Sequence, residues 1–225
     1  MATRRTYGDS CGIARALDLV GERWALLVAR ELLLGPKRFT DLRSGLPNVG
    51  PDVLAQRLRE LEGSGIIRRS QMPPPAASRV YELTEWGREL EPVLLALGRW
   101  GSRAPLADQP PPLGVDAIVI ALETTFDPEV GTPEGAAAES YELVLGEQVF
   151  ALQTAGAGFD VRRGRVAAPR AAIATDPGTL ADVLWHGRPL GSAIADGSMR
   201  IEGDHDGVRA LLRRFPAPVA AEAAA

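Results

Sequence analysis

Cysteine occurs once in the 225 residues, at Cys11, lysine once, at Lys37, and histidine only twice, at His186 and His205. A single thiol excludes an internal disulfide framework and fits a reducing cytoplasm, the expected location. The two histidines have no metal-ligand spacing to each other or to the cysteine, so no metal site is expected. No run approaches the ~18 consecutive apolar residues of a membrane-crossing helix. Met1–Ser10 is polar and does not resemble a signal peptide, so no membrane association is expected. No serine or cysteine sits in a nucleophile motif, and no glycine-rich phosphate loop follows a strand. Gly156-Ala157-Gly158 lacks a third glycine and a helix, and Asp204 with Asp206 reads as helix capping rather than an acid/base pair. The expectation is a protein that is not an enzyme and carries no cofactor.

What is present is unevenly distributed. The formal charge of −4 hides a net of +4 over residues 1–104 and −8 over residues 105–225. A basic half joined to an acidic half fits a nucleic-acid-binding part and a non-binding part. Between them, Ala104–Gly114 holds four prolines and little apolar content. It reads as a semi-rigid spacer. The expected division is 1–104, a linker at 105–114, a second domain at 115–216 and an alanine-rich, disordered tail at 217–225.

The segment Gly35–Leu83 is the most informative. Phe39, Leu42 and Leu46 make a short apolar face after Gly35-Pro36. Pro51 then opens a second helix pattern in which Leu54, Leu58 and Leu61 form one stripe, closed by Gly63-Ser64-Gly65. Asp52, Gln56 and Arg59 fall on the opposite face. Two β-rich runs follow, carrying Arg68, Arg69 and Arg79, around a Pro73-Pro74-Pro75 tip that cannot sit in a central strand. This order predicts a winged helix-turn-helix, with one helix for the major groove and a hairpin over the backbone. The candidate DNA-contacting residues are Pro51, Asp52, Gln56, Arg57, Arg59, Arg68, Arg69 and Arg79. Glutamine can pair with adenine and arginine with guanine or phosphate, whereas wing arginines position without specifying sequence. The plain alternatives are an amphipathic surface helix and solvated strand charge. Flanking helices carry apolar stripes at Ile13, Leu17 and Val20, and at Leu90, Val93, Leu94, Leu97 and Trp100. On the plainest reading these cap the core of the same unit.

CGIARALDLVGERWALLVARELLLGPKRF, LAQRLRELEGSGIIRR and YELTEWGRELEPVLLALGRWG, in that order between Cys11 and Gly101, resemble the HxlR-type winged-helix regulators, relatives of the MarR group. The resemblance implies a mainly α domain (three-helix core, β-wing and extra dimerisation helices), a homodimer, and double-stranded DNA with a pseudo-palindromic operator as partner. It also carries over a redox or electrophile-sensing role to Cys11, with Arg15 one turn along favouring a thiolate; the alternative for Cys11 is a small packed residue. Two departures are visible. Gly12 follows the cysteine where proline is usual, and Trp86 stands where a smaller aliphatic is commoner.

After the spacer the pattern turns to strands. Ala117–Glu123 reads as a buried strand, followed by Tyr141–Leu145, Val149–Thr154, Phe159–Arg163, Ala171–Thr175 and Met199–Glu202. Helix signals lie at Leu180–Trp185, from Pro189 into Ile194, and from Asp204 to Phe215. Strands followed by helices argue an α+β layer with a mostly antiparallel sheet. The stretch DVRRGRVAAPRAAIATDPGTLADVLWHGRPLGSAIADGSMRIEGDHDGVRALLRRF resembles the end of the sterol carrier protein type 2 domain. That resemblance implies an apolar tunnel for fatty acyl or sterol-like molecules. The candidate lining is Leu180, Val183, Leu184, Trp185, Leu190 and Ile194, which otherwise are core residues. Three functions follow: a DNA-binding regulator controlled by a hydrophobic effector; a ligand-independent regulator whose second domain serves assembly; or a lipid-binding protein using its winged helix for protein contacts.

Overall fold

A computed structural model describes residues 6–72, 77–105, 113–130 and 137–221. The proline tip of the wing, most of the proline-rich spacer and the last four alanine-rich tail residues lie outside the described residues. The chain divides into two compact units, Met1–Leu94 and Leu95–Ala225.

In the first unit, α1 (Gly12–Val20) leads through Gly21 to α2 (Ala25–Leu33). Trp24, which precedes α2, has φ 77°, a left-handed conformation unusual for a bulky residue. Its carbonyl accepts from Val28 N–H at 2.8 Å. The Arg23 guanidinium lies 5.2 Å over its ring. From α2, Val28, Ala29 and Leu32 join Leu42, Leu46, Leu54, Leu58, Leu61, Ile66, Ile67 and Leu83 in one apolar core. Glu31 is buried and ion-paired with Arg30 at 2.7 Å and with Lys37 at 2.5 Å, which compensates its burial.

Helix α3 (Phe39–Gly45) is capped at its start by Arg38, whose N–H donates to Asp41 Oδ2 at 3.1 Å. Gly45 closes it because a side chain there would run into the Glu31 carboxylate. Helix α4 (Pro51–Gly63) starts with proline at its first position and buries Leu54, Leu58 and Leu61. Strands β1 (Ile67–Gln71) and β2 (Arg79–Leu83) pair antiparallel with Ile67 opposite Leu83. The wing is tied to the segment before α3 by two backbone bonds, Lys37 N–H to Tyr81 O and Tyr81 N–H to Lys37 O, at 3.0 and 2.8 Å. Thr84 caps α5 (Glu85–Arg88) by accepting from Gly87 N–H at 2.9 Å. Gly87 presses on the Ile66 carbonyl too closely for a Cβ. Helix α6 (Glu91–Gly101) follows, and the division between the units falls within it.

The first complete element of the second unit departs from the expectation. Val115–Thr125 is a helix, α7, not the strand expected over Ala117–Glu123. An apolar run buried on most sides reads alike in both conformations, and here Asp116 through Ile120 and Leu122 are all buried. Strands β3 (Glu139–Leu145), β4 (Gln148–Ala155), β5 (Gly158–Arg163), β6 (Ala171–Thr175) and β7 (Arg200–Gly203) form one sheet in the order β5-β4-β3-β6-β7. Only the β3–β6 pairing is parallel, so the sheet is mostly antiparallel as expected. Tyr141, Leu143, Leu145, Phe150, Leu152, Val161, Ile173 and Ile201 are buried from alternating positions. Helices α7, α8 (Pro177–Trp185), α9 (Leu190–Ala195) and α10 (His205–Arg213) complete the unit. Asp176 caps α8 and Asp204 caps α10, each accepting from the backbone N–H three residues on at 2.9 Å. The tail expected to be disordered is held over its first residues, with Ala221 N–H donating to Arg103 O at 2.9 Å and Arg103 Nε to Val219 O at 3.3 Å.

Candidate nucleic-acid interface

The leucine stripe of α4 is inward, so its opposite face is presented to solvent. Pro51, Asp52, Val53, Gln56 and Arg59 are all exposed. Gln56 Nε2 donates to Glu60 Oε1 at 2.9 Å, along the helix surface. Arg57 departs from its expected place as a DNA contact. It is only 9% exposed, bound to the Glu60 carboxylate, with Nη2 3.7 Å from Glu22 Oε2. Its position beside the leucine stripe turns it toward the body of the unit, where Glu60 of the same helix holds it and Glu22, from the segment between α1 and α2, adds a second negative charge.

The wing carries its arginines on both strands. Arg68 donates to Glu82 Oε1 at 2.9 Å, and this hydrogen bond holds the Glu82 carboxyl below its ordinary pKa against the opposing effect of burial. Arg69 pairs with Glu62 Oε2 at 3.0 Å and lies 5.5 Å over the Tyr81 ring. Arg79, at the tip end of β2, is exposed. Sequence reasoning missed Arg38. Its Nε donates to Ser78 Oγ at 2.9 Å, connecting the start of α3 to the wing beside the proline tip. The separation of 40 residues left no local signal for it.

Two helices present large apolar side chains to solvent: Ile13 and Leu17 on α1, and Val93, Leu97 and Trp100 on α6. Val20 and Leu94, at the same spacing, are buried in the core. Cys11 is exposed immediately before α1, where its N–H donates to Asp9 Oδ1 at 2.9 Å.

In the second unit a groove of about 370 Å³ is lined by Val183, Leu184, Leu190, Arg209, Leu212, Arg213, Phe215 and Pro216. It gathers three of the expected lining residues, Val183, Leu184 and Leu190. Leu180 is instead 1% exposed in the core, and neither Trp185 nor Ile194 lines the groove. Of the α10 residues that complete it, Leu212 belongs to the apolar side legible in that helix, whereas Arg209 and Arg213 carried no signal. Among the described residues, no cluster of His, Cys, Asp and Glu could hold a metal, and no helix is long and apolar enough to cross a membrane.

Comparison with known proteins bears on the helix-turn-helix part of the chain alone. The model of the HxlR-like helix-turn-helix family matches residues 19–108. The uncharacterized HTH-type transcriptional regulator YvaP of Bacillus subtilis (strain 168) is 35% identical over 88 residues, 39% of this chain and 82% of that protein. The uncharacterized HTH-type transcriptional regulator sll1512 of Synechocystis sp. is 41% identical over 95 residues, 42% of this chain and 70% of that protein. Among solved structures, the redox regulator HypR in its oxidized form is 34% identical, with a TM-score of 0.39, over 43% of this chain and 100% of that one.

Proposed function

The chain belongs to the family of HxlR-like helix-turn-helix proteins, and from that premise we propose that it is a dimeric, sequence-specific DNA-binding transcriptional regulator of the cytoplasm, controlled by a hydrophobic effector in its C-terminal domain. The observation that carries the reading is the exposed α4 face bearing Asp52, Gln56 and Arg59, with Arg68, Arg69 and Arg79 exposed on the adjoining wing. On this reading α4 enters the major groove and its N-terminal residues meet base edges, while the wing arginines meet phosphates. Arg57 is left out of the contact set because its guanidinium is occupied by Glu60 and Glu22.

The dimer is supported by the exposed apolar faces of α1 and α6, since side chains as large as Trp100 at 75% exposure gain most by mutual burial. A two-fold dimer reads two inverted half-sites. The domains of the proposal are residues 1–104 for DNA and dimerisation and 115–216 for the effector, the latter sterol-carrier-like. The groove beside Leu184 and Leu190, apolar but for Arg209 and Arg213, supports the effector site. A bound effector would favour a dimer whose recognition helices no longer match the ~34 Å half-site spacing. Cys11, exposed beside the α1 face, is where a thiol-directed signal would act on the same dimer.

The test is to sequence the duplexes that the purified protein retains from a randomised pool. The reading expects one half-site recovered twice in inverted orientation. A retained pool with no enriched sequence would remove it.

A further inference from the structure

The Arg57 side chain, excluded from the DNA, has another place in the reading of it. Its guanidinium donates to Glu60 Oε2, and Glu60 Oε1 accepts from Gln56 Nε2 at 2.9 Å. Arg57 is buried, with Glu22 3.7 Å from its second terminal nitrogen. A chain of polar contacts therefore runs from a fixed, buried cation through one carboxylate to the exposed amide of the recognition helix.

The chemistry of that chain has a direction. An ionised carboxylate only accepts, so the Gln56 group that faces Glu60 must be its NH2. Two orientations of a glutamine amide are otherwise close to equivalent in shape, and a free one turns over. The NH2 keeps a second hydrogen after serving Glu60, and Oε1 remains an acceptor. One donor and one acceptor in fixed order match the N7 acceptor and N6 donor of adenine, whereas guanine presents two acceptors and cytosine only a donor. We propose that Glu60, held by Arg57, is a positioning residue that fixes the Gln56 amide in one adenine-reading orientation, so that each half-site contains an adenine on a defined strand. The inference rests on the reading of α4 as the helix in the groove.

Glu60→Ala tests it on the full-length protein. The residue is partly exposed, and thermal melting checks that the variant folds. Binding is measured to the selected operator, to the same operator with the adenine replaced by guanine, and to unrelated duplex. In the wild type the adenine is preferred over guanine by about tenfold or more. Glu60→Ala reduces that preference severalfold, while its affinity for unrelated duplex stays the same or rises, because a negative charge has been removed from the DNA-facing helix. Replacing the adenine by 7-deazaadenine, which lacks N7, weakens the wild type more than the variant. A general structural role for Glu60 would instead lower operator and unrelated affinity together, and that result overturns the proposal. So does a variant that keeps the full preference for adenine. A wild-type protein with no base preference anywhere fails differently. It overturns the placement of α4 in the groove, and this inference with it.

Discussion

Replacing Arg68, Arg69 and Arg79 together by alanine should change how binding responds to salt more than how it responds to sequence. Each phosphate neutralised by a protein cation contributes a slope of about −0.9 to log K against log salt on duplex DNA. The three side chains are not equally available. Arg79 is exposed at the tip end of β2, while Arg68 and Arg69 are already paired with Glu82 and Glu62 at 2.9 and 3.0 Å. Both arginines are about half exposed or more, and exposed ion pairs are worth roughly 0–1 kcal/mol. Exchanging Glu62 for a phosphate is therefore inexpensive, while Glu82, only 16% exposed, gives up Arg68 at a higher cost. The slope should flatten by about 0.9 per subunit if only Arg79 reaches phosphate, and by about 2.7 if all three do. Fluorescence anisotropy of a labelled operator, titrated across roughly 50–200 mM salt, measures it directly. Operator and unrelated duplex should lose affinity in parallel. A triple variant with an unchanged slope would show that the wing does not lie on the backbone.

Leu97→Glu should leave the fold intact, since Leu97 is 45% exposed, and shift sedimentation from dimer to monomer with loss of operator binding. A wild-type monomer that binds an inverted repeat with full affinity would contradict the interface. Filling the second-unit groove by Leu184→Trp should abolish saturable binding of an anionic naphthalene sulfonate probe, displaceable in the wild type by apolar ligands. No saturable response in the wild type would reduce that domain to an assembly module. Asp176→Ala removes the α8 cap and should cost about 1 kcal/mol of stability at neutral pH. Burial of Asp176 opposes ionisation, but hydrogen bonds from Thr179 and Gly178 prevail and lower its pKa from 3.8. The capped state is thus favoured above that value, and the advantage disappears as pH falls through the lowered one. Denaturant melts of wild type and variant should converge there, and a gap that persists at lower pH would refute the cap assignment.

How far the sequence reveals this molecule depends on whether a feature is local. Helix α4 is legible because Pro51 starts it, the Leu54-Leu58-Leu61 stripe orients it and Gly63-Ser64-Gly65 ends it. The wing strands are legible from alternation around the proline tip. Arg57 is not, because burial beside the leucine stripe, which depends on how the unit packs, turns its guanidinium from solvent to Glu60 and toward Glu22, thirty-five positions earlier. Helix α7 is misread because Ala117, Ile118, Val119 and Ile120 are buried together, leaving no polar face to reveal a period. The groove is half legible. Val183, Leu184 and Leu190 belong to one local pattern, but Arg209, Leu212 and Arg213 join only through the packing of α10. The left-handed Trp24 has no signature in residue type at all.

The central claim is that the exposed face of α4 reads bases, and Gln56→Ala addresses it with the least disturbance to the fold. Affinities of wild type and variant for the selected operator and for unrelated duplex should be measured at one salt concentration. The account predicts a loss of about 1–3 kcal/mol on the operator and no loss on unrelated duplex. Equal loss on both, or none on either, would contradict it.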